Sequence, residues 1–156
     1  MTSAFFHEAP VATGRYTSDL EVGDELGPVE YTMSRFIARE YGHANELHQS
    51  CFQGLTDAIA PPTLVHIDKL RLYKIACPAG AGPHARIHYE FDAEIHAPVR
   101  VGMRVRSSGK VVLRYEKKGR EYVVTDIDMR AVDDGRLLIS YHDTVILSFR
   151  AAAEAT

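Results

Sequence analysis

The sequence has little cysteine and no long apolar run. Its two cysteines, Cys51 and Cys77, match no metal-binding or redox spacing, and this indicates a reduced compartment. No apolar run approaches the ~18 residues of a membrane-spanning helix. The first residues, MTSAFFHEAP, lack the basic-then-apolar pattern of a signal peptide. We therefore expect a cytoplasmic protein that has no membrane partner.

The sequence also lacks a strong excess of charge of either sign. It contains 18 Lys and Arg against 21 Asp and Glu, a formal net charge of -3, so no single-sign field would direct it to nucleic acid. With 156 residues, 46% of them hydrophobic, it has the composition of one globular domain. We expect a single domain over 1–156, with its core at about 14–149 and a flexible tail at 150–156. Histidine is plentiful, at eight residues.

The spacing of apolar residues changes from a helical period to alternation partway along the chain. Turn signals at KKGR and Asp133-Asp134-Gly135 separate the later strands. Helices followed by a run of strands predict an α+β fold in which one helix packs on one face of an antiparallel sheet. The predicted elements are a strand at 29–32, a helix at 34–42 that begins at an N-cap Ser34 and stops at Gly42, a polar loop at 43–60, a helix at 62–76, and strands at about 87–95, 103–116, 121–132 and 136–149.

Two faces are predicted from these patterns. The helix at 62–76 should bury one apolar side, formed by Leu64, Ile67, Leu70, Leu72 and Ile75. In the strand at 87–95, alternation places the aromatic and aliphatic residues inward. The same alternation places two histidines, His88 and His96, on the solvent side.

Four segments together resemble MaoC-like dehydratases and (R)-specific enoyl-CoA hydratases. They read GRYTSDLEVGDEL, YGHANELH, APPTL and HAPVRVGMRV, and the similarity covers roughly residues 14–149. The resemblance implies the hot-dog fold, in which a curved antiparallel sheet wraps around one long central helix. In the family the loop reads roughly Ser-Gly-Asp-x-Asn-Pro-x-His, and its Asp and His activate one water molecule. Here Gly42, Asn45 and His48 keep that spacing, whereas Tyr41, His43 and Glu46 replace the Ser, Asp and Pro.

The resemblance implies hydration or dehydration of an enoyl or 3-hydroxyacyl thioester of coenzyme A or a carrier protein. No cofactor is expected beyond the coenzyme A or phosphopantetheine of the substrate. Histidine suits the activation of water because its ordinary pKa of ~6.5 lies near working pH. We expect His48 to hold this role, His43 to share it in place of the missing carboxylate, and Asn45 to orient the loop or the water. Gly42 is expected beside the substrate.

The start of the helix at 62–76 is the expected site for the thioester oxygen, because a helix N-terminus offers backbone N–H donors. Pro61 and Pro62 have no N–H, so the donors begin at Thr63 and continue to Leu64. His66 either lines the acyl tunnel or is a hydrogen-bonded polar residue beside the core. No metal site is predicted, because His43 and His48 lie five residues apart with no Cys or Asp cluster nearby.

Replacement of the family's Asp by His43 leaves several functions open. Glu40, Glu46 or Asp57 could supply a carboxylate. Alternatively, the chain is a non-catalytic acyl-binding subunit of a heteromeric dehydratase, a hot-dog thioesterase, or a cyclase of specialised metabolism. Since a hot-dog monomer leaves a sheet edge uncovered, we expect a homodimer, or a heteromer with another hot-dog subunit.

Overall fold

The computed structural model describes residues 14–54, 56–80 and 86–147, and these form one antiparallel sheet crossed by a helix. The predicted tail at 150–156 lies outside the described residues. No helix in the described ranges is long and apolar enough to cross a membrane. The sheet order is β1-β3-β4-β5-β2. The elements are β1 (Glu25–Thr32), α1 (Arg35–Ala44), α2 (Ser50–Gln53), α3 (Val65–Ala76), β2 (Ile87–Ile95), β3 (Arg104–Lys117), β4 (Arg120–Ala131) and β5 (Leu137–Ile146).

The predicted order of the strands and the two longer helices is confirmed, and the differences are in element ends and in one additional short helix. Lys118 and Gly119 form the turn between β3 and β4, with φ of 53° and 68°, the conformation that a two-residue hairpin requires. Strand β1 begins four residues earlier than predicted. The prediction that Gly42 ends α1 is wrong, because the helix continues to Ala44, and the predicted loop contains the short helix α2.

The core lies between α3 and the sheet, where exposed and buried residues alternate along β3 from Arg104 to Val111. Strand β1 passes so close to α3 that a Cβ added at Gly27 would lie 2.3 Å from Leu72 Cδ2. Gly27 also has a φ of +91°, which side chains rarely adopt. A 3₁₀ turn at Pro62–Leu64 leads into α3, so the predicted start of this helix is confirmed.

The predicted buried face of α3 is wrong in part. Leu64 and Leu72 are buried, but Ile67, Leu70 and Ile75 are exposed. In their place the helix buries two consecutive charged residues, Asp68 and Lys69, together with Val65 and Tyr73. Each of the two charges has a partner on the sheet, and these partners could not be inferred from the spacing of apolar residues.

Asp68 is completely buried and lies against the β1–β3 side of the sheet. Its Oδ2 accepts hydrogen bonds from the Ser107 hydroxyl at 2.7 Å and the Tyr31 hydroxyl at 3.1 Å. Arg71 approaches Oδ1 at 3.3 Å. Burial raises the pKa of Asp68, and these donors oppose that rise.

The predicted faces of β2 are wrong at the start of the strand, because a bulge lies there, whereas Phe91 packs against the core as predicted. His88 pairs with Val145, but Glu90 pairs with Thr144, so Tyr89 is an extra residue. The bulge reverses the alternation and turns His88 toward α3. His96 remains exposed and contacts the Ser140 hydroxyl at 2.9 Å.

Candidate active site

The loop that follows α1 brings His43 and His48 together. Their ring centroids are 6.3 Å apart in an edge-on arrangement, and both side chains are exposed. The Ser34 hydroxyl caps α1 by accepting from the Ile37 N–H at 3.1 Å, as predicted. The loop then closes on the helix end, where the Leu47 N–H donates to the Gly42 carbonyl at 2.8 Å.

Asn45 and Gly42 contribute mainly to the conformation of this loop. The Asn45 Nδ2 donates to the Tyr41 carbonyl at 2.8 Å, so its amide N–H stabilises the end of α1. Its side-chain oxygen is the atom left to orient a water molecule. Gly42 is buried beneath the loop, where an added Cβ would meet the Leu47 carbonyl at an ordinary 3.6 Å.

The loop is joined to the start of α3 by one side-chain contact. The Tyr41 hydroxyl donates to the Thr63 hydroxyl at 3.0 Å. The Leu64 N–H donates to the Pro61 carbonyl at 3.0 Å. Among the described residues, the Thr63 N–H has no backbone acceptor, so it can still donate a hydrogen bond.

An apolar cavity of about 210 Å³ lies beside the start of α3 and the end of β2. Apolar side chains form most of its wall, so it suits a hydrocarbon segment. Its lining includes Ile59, Ala60, Pro62, Ile95, Val99 and Ile139.

A second group of polar side chains, which sequence reasoning missed, lies between α3 and the β5–β2 side of the sheet. The buried Asp143 Oδ1 is 3.0 Å from Lys69 Nζ and 2.9 Å from His88 Nδ1. The Tyr73 hydroxyl donates to Asp143 Oδ2 at 3.3 Å. His66, a predicted substrate contact, lies beside this group with its ring 5.6 Å from the His88 ring. The one signal in the sequence was Asp143 itself, a carboxylate inside the apolar strand LLISYHDTVI.

The pKa of His66 is lowered, first by burial and then by the charge of Lys69. Both effects disfavour the protonated ring, so His66 is neutral at pH 7. Burial raises the pKa of Tyr73 and Tyr141, and the Asp143 carboxylate adds to that rise. These hydroxyls therefore keep their protons and act as hydrogen-bond donors.

Comparison with solved structures identifies the architecture. The chain is similar to a monoamine oxidase regulatory protein from Archaeoglobus, with 14% identity, a TM-score of 0.71, and coverage of 87% of this chain and 95% of that one. It is also similar to the truncated HadBC (3R-hydroxyacyl-ACP dehydratase) complex from Mycobacterium tuberculosis, at 20% identity, a TM-score of 0.64, and coverage of 80% and 96%. An (R)-hydratase from A. caviae involved in PHA biosynthesis shows 16% identity, a TM-score of 0.66, and coverage of 83% and 98%. The chain has the hot-dog fold.

The predicted fold and its resemblance to MaoC-like dehydratases and (R)-hydratases are thus confirmed at the level of structure. No family model and no curated protein matches the chain in sequence. Within this hot-dog fold, the predicted carboxylate substitutes Glu40, Glu46 and Asp57 are exposed, whereas the buried carboxylate of Asp143 contacts His88. In the described ranges no group of three or more His, Cys, Asp or Glu residues is placed to hold a metal ion.

Proposed function

We propose that this chain is a hydratase or dehydratase acting on an enoyl or 3-hydroxyacyl thioester of coenzyme A or a carrier protein. The observation that carries the proposal is the 3.0 Å hydrogen bond between the Tyr41 and Thr63 hydroxyls, because it holds the histidine loop against the start of α3. The hydratase and dehydratase among the structural neighbours support the same reaction class. The substrate brings its own coenzyme A or phosphopantetheine, and no other cofactor is needed.

In the hydration direction, His48 accepts a proton from water as the water oxygen forms a bond to Cβ. The electrons of the double bond shift toward the thioester carbonyl, and the resulting enolate takes a proton at Cα. An imidazole can serve both transfers, because the proton that it takes from water can be returned to carbon. His43, 6.3 Å away between ring centroids, is the second imidazole able to supply or remove that proton.

The negative charge that develops on the thioester oxygen is stabilised at the start of α3. The Thr63 N–H is the available donor there, and the positive end of the helix dipole adds to it. The apolar cavity beside Pro62 accommodates the first part of the acyl chain. Oxygen and hydrocarbon are thus bound at adjacent positions.

The test is a comparison of His48→Ala with wild type on short and long enoyl-CoA substrates. Removal of the proton-transferring group is expected to lower kcat by about 10²-fold or more. Gln49→Ala is the matched control, since Gln49 is the exposed neighbour of His48 and its side chain caps no helix. Equal rates for wild type and His48→Ala would refute the assignment.

The absence of a carboxylate at His43 favours one alternative, an acyl-binding subunit that completes the groove of an active partner. Restoring the family residue with His43→Asp separates the two. Appearance of activity only in this variant supports the inactive subunit, whereas robust activity of the purified wild-type chain excludes it. Release of free thiol with no change at the double bond would identify a thioesterase.

We further propose a two-fold dimer formed along β2. This strand is a sheet edge, and it exposes Tyr89 and Ile95. Unpaired edge groups and exposed apolar side chains are both features that a second copy would cover. Sedimentation of wild type against Ile95→Lys tests this, with Val22→Lys as the exposed control away from β2. A monomeric wild type at micromolar concentration would contradict the dimer.

A further inference from the structure

A line of side chains runs between α3 and β2, and we call it the α3–β2 seam. It is formed by His66 and Lys69 of the helix and by Phe91 and His88 of the strand. The rings of His66 and Phe91 lie 4.2 Å apart between centroids, and Lys69 Nζ lies 2.8 Å from His88 Nδ1. As the helix advances, its contacts therefore move back along β2. The apolar cavity lies at the beginning of this line, beside the start of α3.

The far end of the seam rests on a buried ion pair. The side chains of Asp143 and Lys69 are 0% and 7% exposed, and their charged atoms are 3.0 Å apart. The Tyr73 hydroxyl completes the coordination of the carboxylate at 3.3 Å. Because each charge is compensated, the pair is a fixed support for the histidine in front of it.

The pair holds one edge of the His88 ring. Nδ1 lies 2.8 Å from Lys69 Nζ and 2.9 Å from Asp143 Oδ1. Nε2 is therefore the nitrogen left to bind another group. The His88 side chain is 43% exposed, so this ring reaches the open side of the seam.

His66 is the second imidazole on the seam. It lies about one helical turn before Lys69, nearer the start of α3. Its ring is edge-on to His88 at 5.6 Å, and burial and the neighbouring Lys69 lower its pKa. The seam thus presents two imidazole rings beside the Phe91 ring. Both offer polar atoms where an acyl tunnel would ordinarily offer hydrocarbon.

We propose that the α3–β2 seam is a binding subsite for a keto or hydroxyl oxygen carried on the acyl chain of the substrate. This rests on the proposed function, because the thioester is taken to lie at the start of α3. With a rise of 1.5 Å per residue, His66 and Lys69 lie about 4.5 Å and 9 Å along the helix from Thr63. The oxygen would therefore be carried several carbons beyond the thioester, past the apolar cavity.

The chemical reason is the cost of covering a polar group with hydrocarbon. A plain alkyl chain lying on the seam would desolvate the imidazole N–H groups without replacing their water, whereas a keto or hydroxyl oxygen accepts from them. A site built to hydrogen-bond an oxygen discriminates against the analogue that lacks it. The subsite therefore selects oxygenated acyl chains over plain ones.

The test measures binding without turnover. Saturated acyl-CoA thioesters, which cannot be hydrated, are compared by calorimetry in a series where a keto group moves one carbon at a time along the chain. We expect wild type to prefer one or two adjacent keto positions by about 3- to 10-fold over the plain chain, the size of a neutral hydrogen bond. No preference at any position would overturn the proposal.

Variants assign the preference to the seam. His88→Phe and His66→Phe should each remove most of it while changing affinity for the plain chain less than about 2-fold. His142→Phe is the matched control, because His142 lies on β5 and pairs with Asp126 on the outer face of the sheet. An equal loss of affinity for oxygenated and plain chains in both variants would refute the subsite. If His88→Phe fails to fold, His66→Phe decides alone, since His66 has no ion pair with Asp143 or Lys69.

Failure of the proposed reaction is distinguishable from failure of the subsite. If His48→Ala hydrates enoyl thioesters as fast as wild type but the keto preference persists, the chain binds oxygenated acyl groups for another purpose. If hydration depends on His48 and no keto position is preferred, the reaction stands and the subsite is wrong.

Discussion

Replacing Asp143 by leucine should lower the free energy of unfolding by about 3–5 kcal/mol, the usual cost of leaving one charge of a buried pair without its partner. The structure supports the upper part of this range. The Lys69 side chain is 7% exposed, so its ammonium could not easily reach water. Its other contact, His88 Nδ1, brings no negative charge to replace the carboxylate, and Tyr73 would also lose an acceptor.

The double variant Lys69→Met with Asp143→Leu provides the decisive comparison. Removing both charges avoids the unpaired ion, so the double variant should unfold within about 1–2 kcal/mol of wild type or be more stable. The single changes should therefore sum to far more than the double change. This difference is the coupling energy of the pair.

Urea unfolding followed by circular dichroism measures all three variants. Asp128→Asn is the control, because it breaks the Arg130–Asp128 pair, whose side chains are 48% and 40% exposed, and should cost less than about 1 kcal/mol. A cost for Asp143→Leu as small as that of the control would show that water reaches Lys69. The account of a fixed, buried support for His88 would then be wrong.

Three further predictions concern the backbone, a helix cap and pH. Gly27→Ala should destabilise the fold by about 1–3 kcal/mol more than Gly23→Ala in thermal unfolding, because both have positive φ but only Gly27 would bring a Cβ against Leu72; equal losses would contradict the clash. Ser34→Ala should cost about 1 kcal/mol by removing the cap of α1, and a change below 0.3 kcal/mol would mean that the cap is replaced by water. Since the pKa of His66 is lowered, the unfolded chain binds more protons there, and the free energy of unfolding should fall as pH drops below about 6.5. His66→Leu should flatten this decline, and an unchanged slope would count against it.

Most of the fold could be predicted because its signals are local. The turn at Lys118 and Gly119, the cap at Ser34 and the proline start of α3 each depend on a few neighbouring residues. The order of elements followed from these signals together with the change in apolar period. Element ends were less predictable, as the continuation of α1 past Gly42 shows.

The interior polar groups could not be predicted, because their reasons are long-range. Lys69 of α3 is buried because it pairs with Asp143 of β5, which lies 74 residues away in the sequence. His88 faces inward because a bulge at Tyr89 reverses the alternation that assigned it to solvent. The loop at His43 and His48 was found through its resemblance to a family motif, and its catalytic role stays a prediction.

The two buried charges of α3 also determine how the helix is rotated about its own axis. Asp68 and Lys69 are consecutive, so they point about 100° apart around the helix. Asp68 meets Ser107 and Tyr31 on one side of the sheet, and Lys69 meets Asp143 on the other. A turn of the helix by one residue would direct a charge away from its partner, whereas an all-aliphatic helix could repack. The two opposite charges therefore fix one rotational setting of α3, and that setting decides which of its side chains face the sheet.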